Sequence, residues 1–411
     1  MLNNLINILI ISSLAMIGAD RINILSDSFD YFIFTPYLFF SFLAVFILTV
    51  YKKDSLDFSW IFSNNFILLF FSIYLISCLI SIFFSIDIYM SIKRFCLLFY
   101  LILSSSIILS YSSEINKLKR ILIISSFVGS FLFYFFNLVL LINWFSNIEI
   151  TSIFINFVPD QIAYFIPRLG GYSMDSNRGN VVLFFFTFIL FIFNSETKYT
   201  KTLIIINICL LFLSFSRTLY LLLFMVILLQ LFIIEKEQRN KMLMFSFYGI
   251  VFFSITIYFM NINEYIDLSL ALEERLNIFE VSRFSSSGIH FKLIKEGFHT
   301  AFSDLKILLF GSGFGTSYLL IKGYYWSGIK YGNYHSLYIT SLVECGFINL
   351  ISILVISFIL PLFMNYKNHI FTFLFGLLFF NIFYQLIMEP LFWFSISLFY
   401  KFSFLEQLNE K

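Results

Sequence analysis

Runs of about twenty apolar residues recur along the whole chain, and nothing constrains its fold more. A hydrocarbon layer about 30 Å thick takes a helix of about twenty residues to cross, and every backbone polar group inside it must be bonded within the chain. Segments such as NFILLFFSIYLISCLISIFF (65–84) and ILIISSFVGSFLFYFFNLVLLINW (121–144) meet that demand. Only 12% of the 411 residues are charged and 60% are hydrophobic, against about 25% charged in a soluble domain. The short alternating segments of a membrane-spanning barrel are absent.

The pattern predicts an all-α polytopic membrane protein with about twelve transmembrane helices. The expected spans are 5–19, 31–51, 66–84, 95–110, 121–144, 179–194, 203–217, 218–234, 242–260, 335–364, 370–388 and 391–405. Nine spans then fill 1–260, one large loop occupies 261–334, and three spans fill 335–411. The first run lacks a small-residue cleavage site and reads as a retained helix rather than a signal peptide. Cys78, Cys96, Cys209 and Cys345 all sit in apolar context at no ligand-like spacing, and read as small buried hydrophobes. A net charge of +2 gives no reason to expect nucleic acid as a partner.

Lysine and arginine set the orientation. Alternate connections carry Lys52 and Lys53; Lys117, Lys119 and Arg120; Lys198 and Lys201; Lys236, Arg239 and Lys241; and Lys367. These short basic loops are expected inside, with both termini cytoplasmic and the large loop outside. The other face takes seven of the nine arginines, namely Arg21, Arg94, Arg168, Arg178, Arg217, Arg275 and Arg283, but only six of the seventeen lysines. Topology does not require that bias. Guanidinium grips phosphate and carboxylate bidentately, so the bias suggests an anionic ligand. Local carboxylates and lipid phosphates are the alternative partners.

A loop of about seventy residues is far longer than usual connections and reads as functional rather than as a spacer. Its stretch GIHFKLIKEGFHTAF (288–302) has helical periodicity, with Ile289, Phe291, Leu293, Ile294, Phe298 and Phe302 mostly on one face. Short helices on the membrane surface are expected there.

Four groups of residues carry candidate chemistry. Arg217, in LSFSRTLYLL, lies at a turn between two apolar runs. An arginine at the bilayer centre costs about 2.5–3.5 kcal/mol, so it faces a polar cavity or snorkels to the interface. In PRLGGYSMDSN, Arg168 and the following Arg178 flank Gly170 and Gly171. Asp175, Ser176 and Asn177 are N-cap types at the start of the next helix, whose positive end favours an anion. The alternative is a capped turn with solvated arginines. GSGFG (311–315) lacks the lysine-hydroxyl pair and the strand–helix setting of a nucleotide loop, and reads as a tight turn. His335 stands where the large loop meets the next helix and can act as a base near neutral pH. Glu344, nine residues on, is either a partner for an arginine or a packing element. His290, His299, His335 and His369 show no metal-ligand spacing and no Asp-x-Asp pair occurs on the outer face, so a metal-independent mechanism is expected.

The order and spacing of PRLGGYSMDSN, LSFSRTLYLL, GSGFG and HSLYITSLVECGF, over about 166–350, resemble the O-antigen polymerase/ligase superfamily, and most closely a Wzy-type O-antigen polymerase. His335, Ser336 and Gly346 fit its histidine motif. Asn349 departs from it by standing where an apolar residue is expected. Members often carry an arginine after a serine-rich patch of the large loop; SRFSSSGIHFK (282–292) offers His290 there, with Arg283 and Arg275 as the available guanidiniums. The resemblance implies a GT-C-like membrane glycosyltransferase of the bacterial inner membrane. Its substrate would be undecaprenyl-pyrophosphate-linked oligosaccharide repeat units, which need no cofactor because the lipid pyrophosphate is already activated. His335 would deprotonate or orient the acceptor hydroxyl, with Arg217, Arg168 and Arg283 on the leaving pyrophosphate. Arg275, Arg178, Asp175, Asn177 and Glu344 are the further substrate-binding candidates. The implied partners are membrane lipid and a chain-length regulator protein. An O-antigen ligase, a capsule or exopolysaccharide polymerase and an O-unit flippase are the competing readings. The lopsided chain, with one late loop, speaks against the two similar halves of a flippase.

Overall fold

The computed structural model describes residues 2–24, 34–111, 114–146, 161–162, 166–194, 197–214, 216–233, 236–262, 286–321, 333–365 and 367–409. In chain order the helices are α1 (Leu2–Ala15), α2 (Pro36–Tyr51), α3 (Ser59–Phe62), α4 (Asn65–Phe83), α5 (Ile88–Ser110), α6 (Ile115–Ser146), α7 (Ser176–Asn194) and α8 (Lys198–Phe212). They continue as α9 (Arg217–Ile233), α10 (Lys236–Ile262), α11 (Ser286–Ser303), α12 (Leu305–Phe310), α13 (Leu337–Leu354), α14 (Leu360–Asn365), α15 (His369–Ile382) and α16 (Pro390–Asn409). A two-residue antiparallel pair, Gln161–Ile162 with Ile166–Pro167, is the extended structure among the described residues.

Among the described residues each expected apolar run contains a helix, though several helices are shorter than the run. Among the described residues five helical stretches are long and apolar enough to cross a membrane: Asn65–Phe83, Ile88–Ser110, Ile115–Asn143, Ser176–Asn194 and Leu337–Asn365. Along α4 the side chains of Phe66, Leu69, Ile76 and Phe83 are at least half exposed. Such a surface fits lipid, not water. The chain is a multi-pass helical membrane protein. Starts are set by caps: Thr35, Asn64, Thr197 and Asn368 each accept a first-turn N–H with a side-chain oxygen. The run expected to reach 388 stops at Ile382, and Asn381 Oδ1 then accepts the Leu386 N–H at 3.1 Å in the turn that follows. After α13 the helix widens to π geometry over Val355–Ile359.

The chain divides into two compact units that do not follow its order: Met1–Leu56 with Tyr111–Asn277, and Asp57–Ser110 with Ile278–Lys411. In the first unit α1 packs on α2 and α6, α6 on α7, and α8 on α7 and α10. Leu190, Leu203, Ile204 and Phe245 form one buried cluster there. Asn207 of α8 ties to α6, its amide donating to Ser130 Oγ at 3.1 Å and its carbonyl accepting the Tyr134 hydroxyl. Side-chain bonds of this kind between membrane helices contribute about 0.6 kcal/mol each on average.

In the second unit α13 packs against α4, α11 and α12, and α16 packs against α5 and α15. Asn349, the departure from the family pattern, is the tie between α13 and α4. It is buried, and its amide donates to Ser77 Oγ at 2.8 Å and to the Tyr74 carbonyl at 3.2 Å. Of the cysteines, Cys78 and Cys345 are buried as expected, Cys209 is half-buried, and Cys96 is exposed on α5.

Candidate functional site

In the first unit the PRLGGYSMDSN segment forms a pinned turn feeding α7. Asp175 caps that helix, its Oδ1 accepting the N–H groups of Asn177 at 2.7 Å and Arg178 at 3.1 Å. Arg178 is committed to Asp20 in an ion pair of 2.6 Å, and the same carboxylate accepts the Met174 N–H. Arg21, fully buried, donates from Nε to the Gly171 carbonyl at 3.1 Å. The alternative raised from sequence, pairing with a carboxylate of the protein, therefore describes Arg178, whereas Arg21 is held by a backbone carbonyl.

Arg168 is placed differently. Its guanidinium donates to Asn177 Oδ1 at 2.8 Å, and that oxygen also accepts the Ser216 hydroxyl at 2.7 Å. A second guanidinium bond reaches the Ser214 carbonyl at 3.4 Å. Asn177 thus joins the start of α7 to the turn before α9, and the next residue after Ser216 is Arg217. Arg217 is half-buried and begins α9. A cation at a helix N-terminus adds to the positive end of the dipole instead of cancelling it, so this corner is electropositive twice over.

In the second unit the glycine turn and Glu344 form one assembly. Glu344 is buried and accepts the N–H groups of Gly315 at 2.8 Å and Ser317 at 3.2 Å. The backbone of Ser312 and Gly313 donates to the carbonyls of Val343 and Glu344. Contact is so close that a Cβ on Gly311 (φ 80°) would lie 2.0 Å from the Glu344 carbonyl oxygen. One on Gly346 (φ 83°) would lie 2.4 Å from that of Leu309. Gly346 is also where α13 kinks, with ψ 179° inside the helix. Arg94 lays its stem against Gly315, and its charge acts on the Glu344 carboxylate. The GSGFG sequence is a tight turn, as expected, and Glu344 is the carboxylate that holds it.

His335 sits just before α13 in the left-handed region, at φ 50°, the one non-glycine residue there among those described. Such a backbone is uncommon for histidine and is held here by Asn333, whose Oδ1 accepts the His335 N–H at 2.7 Å. Its ring lies 4.2 Å from that of His290 on α11, tilted by 30°, with Tyr384 edge-on at 6.4 Å. Below it, Leu293 and Ala301 of α11 pack on Tyr334, Ile339 and Leu342. Burial pushes the Tyr334 phenol up to about 12, so it does not titrate near neutrality. The sequence offers His290 only as a stand-in for a missing arginine. A ring pair between residues 45 positions apart has no periodicity by which to be read.

Arg275 and Arg283 lie outside the described residues. Arg168 and Arg217 belong to the first unit, and His335 and Glu344 to the second. Among the described residues no three His, Cys, Asp or Glu side chains gather as metal ligands.

The fold and these clusters define a multi-pass helical membrane protein with arginine and histidine side chains set at helix starts. A family model described as O-antigen ligase matches residues 202–354, in agreement with the resemblance to the O-antigen polymerase/ligase superfamily. The matched stretch contains Arg217, the glycine turn, His335 and Glu344. It does not reach Arg168, Asp175, Asn177 or Arg178. The family's members are membrane enzymes of polysaccharide and lipopolysaccharide assembly, and both polymerase and ligase activity occur among them. No curated protein matches the chain.

Proposed function

We propose that the protein is an O-antigen polymerase, a GT-C-like enzyme of about twelve spans in the bacterial inner membrane with both termini in the cytoplasm. It joins undecaprenyl-pyrophosphate-linked oligosaccharide repeat units at the periplasmic face. The observation that carries this reading is the corner where Arg168 and Ser216 share Asn177 beside Arg217, with Ser216 and Arg217 inside the matched stretch. Two guanidiniums at the positive ends of two helices suit a diphosphate that gains charge as it leaves. His335 takes the acceptor hydroxyl proton as that oxygen attacks the anomeric carbon, and the bond to the lipid diphosphate breaks. Arg283 is the third proposed clamp and Arg275 its substitute. No cofactor or metal is invoked, since the leaving group is already activated. A chain-length regulator is the proposed protein partner.

Arg217→Ala and His335→Ala are expected to abolish long-chain polysaccharide while leaving protein in the membrane; wild-type ladders in both variants overturn the reading. The description of the matched family favours a second reading, transfer of the finished chain to lipid A-core. A deletion strain separates them. A band bearing a single repeat unit means polymerase, and loss of all lipopolysaccharide-bound repeats means ligase.

A further inference from the structure

Three edges run along α11, and they differ. Leu293, Gly297 and Ala301 form a buried edge against α13, so close that a Cβ on Gly297 would lie 2.3 Å from Ile339 Cγ2. That seat fixes which way the rest of the helix faces. Phe291, Phe298 and Phe302 fall within about 40° of one another at 3.6 residues per turn. They form a second edge and are 47%, 46% and 66% exposed. Beside them Lys292, Lys295 and His299 make a third edge, all exposed. Glu296 is half-buried next to the inner edge, where its charge acts on the Tyr334 phenol. The surface continues into α12, with Leu305 and Lys306 exposed.

Ring contacts within the second unit give the level of this surface. Phe291 meets Phe383, the residue that ends α15, edge-on at 6.1 Å. Phe310 of α12 stacks at 4.8 Å on Phe84, the residue that ends α4, and Lys306 Nζ lies 5.1 Å from the centre of the same ring. The α4 helix is long and apolar enough to cross a membrane, and its last residue, Phe83, is 82% exposed. The aromatic edge of α11 therefore continues the lipid-facing surface of α4 at the height where the apolar helices stop. Hydrocarbon gives way to headgroups there. Phenyl rings on one edge and lysines on the next suit that boundary, because each group meets its own solvent. We infer that α11 and α12 form a docking surface for anionic phospholipid, with Phe291, Phe298 and Phe302 in the acyl boundary and Lys292, Lys295 and Lys306 on headgroup phosphates. The same helix carries His290 to the ring of His335, so bound lipid steadies that stack. The inference goes beyond the polymerase reading and uses none of its donor or acceptor assignments.

The test places the purified full chain, one copy per nanodisc, in phosphatidylcholine alone or mixed with phosphatidylglycerol, and follows amide hydrogen exchange over residues 291–310. Phosphatidylglycerol is expected to slow exchange there by at least about fivefold, the factor that one lysine gains beside an anionic surface. Combining Lys292→Gln, Lys295→Gln and Lys306→Gln is expected to remove that difference at an unchanged melting temperature, since all three side chains are exposed. Depth is read separately. Bromine on the acyl chains of phosphatidylcholine is expected to quench the fluorescence added by Phe298→Trp at least about twice as strongly as that added by Lys292→Trp. Equal exchange in the two lipids overturns the docking surface, and so does equal slowing in the wild type and the triple variant. Equal quenching of the two added tryptophans overturns it as well. Protection that appears only with two copies per disc makes this face a contact between chains and overturns it too. Failure of the polymerase reading shows elsewhere, as wild-type polysaccharide in the Arg217→Ala strain, and leaves the lipid result to stand or fall alone.

Discussion

The imidazole rings of His290 and His335 lie 4.2 Å apart, one on α11 and the other at the left-handed hinge before α13. Stacking on a helix that packs over α13 limits how the His335 ring can turn. His335 as general base then predicts a loss of about 10²–10⁴ in turnover for His335→Ala. His290→Phe keeps a ring on the stack and removes its nitrogens. A positioning role predicts a smaller fall, about tenfold, in kcat with KM held. Turnover of lipid-linked repeat units by the purified protein reads both, and an unchanged kcat in His290→Phe removes the role.

Glu344 holds the backbone of the glycine turn, and Gly346 lets Leu309, just before that turn, lie close against α13. Glu344→Ala leaves the N–H groups of Gly315 and Ser317 buried without their acceptor, at about 1–3 kcal/mol for each. Gly346→Ala forces a Cβ to within 2.4 Å of the Leu309 oxygen in a backbone that disfavours any side chain, at about 1–3 kcal/mol. Both variants are expected to lower the melting temperature in detergent. Native melting of Glu344→Ala would mean that the carboxylate serves the substrate and not the fold.

How legible this was in the sequence depended on the range of the interaction. The long apolar helices, such as Asn65–Phe83 and Ile115–Asn143, follow from local hydropathy and caps such as Asn64, and they stand where expected. Asp175 was readable as a cap because its partners, Asn177 and Arg178, are two and three residues away. The roles of the arginines were not. The outer-face surplus looked like one anion site, yet Arg21 serves Gly171, 150 residues distant, and Arg178 serves Asp20. Asn349 looked like a flaw in a motif until its bonds to Ser77 and Tyr74 on another helix were visible.

Asp57 gives the chain an acid-sensitive fastening on the second unit. Burial works to raise its carboxyl, but the Ser59 hydrogen bonds and the charge of Lys401, 3.6 Å away, outweigh it and hold the group below its ordinary value. A depressed carboxyl contributes stability that is fully present above the unfolded value, about 3.9, and is lost as pH falls through the folded value. Asp57→Asn is therefore expected to lower thermal stability at pH 6 and to flatten its decline between about pH 4 and 3. Parallel melting curves for both proteins across that range would show that the ion pair contributes nothing.

Arg178 and Arg217 put the arginine assignment to its sharpest test, because each stands at the start of a helix in the same unit. Arg178 is bound to Asp20 at 2.6 Å, with side-chain exposures of 26% and 14%. Removing it strips a charged hydrogen bond worth about 1.5–3 kcal/mol from the turn that leads into α7. Arg178→Ala should melt earlier and yet retain most of its turnover per folded molecule. Arg217→Ala should melt normally and lose turnover. The two variants are compared in the same preparation by thermal unfolding and by joining of lipid-linked repeat units. If Arg178→Ala instead melts normally and loses turnover, the Asp20 pair is a substrate site, and the division between structural and chemical arginines falls with it.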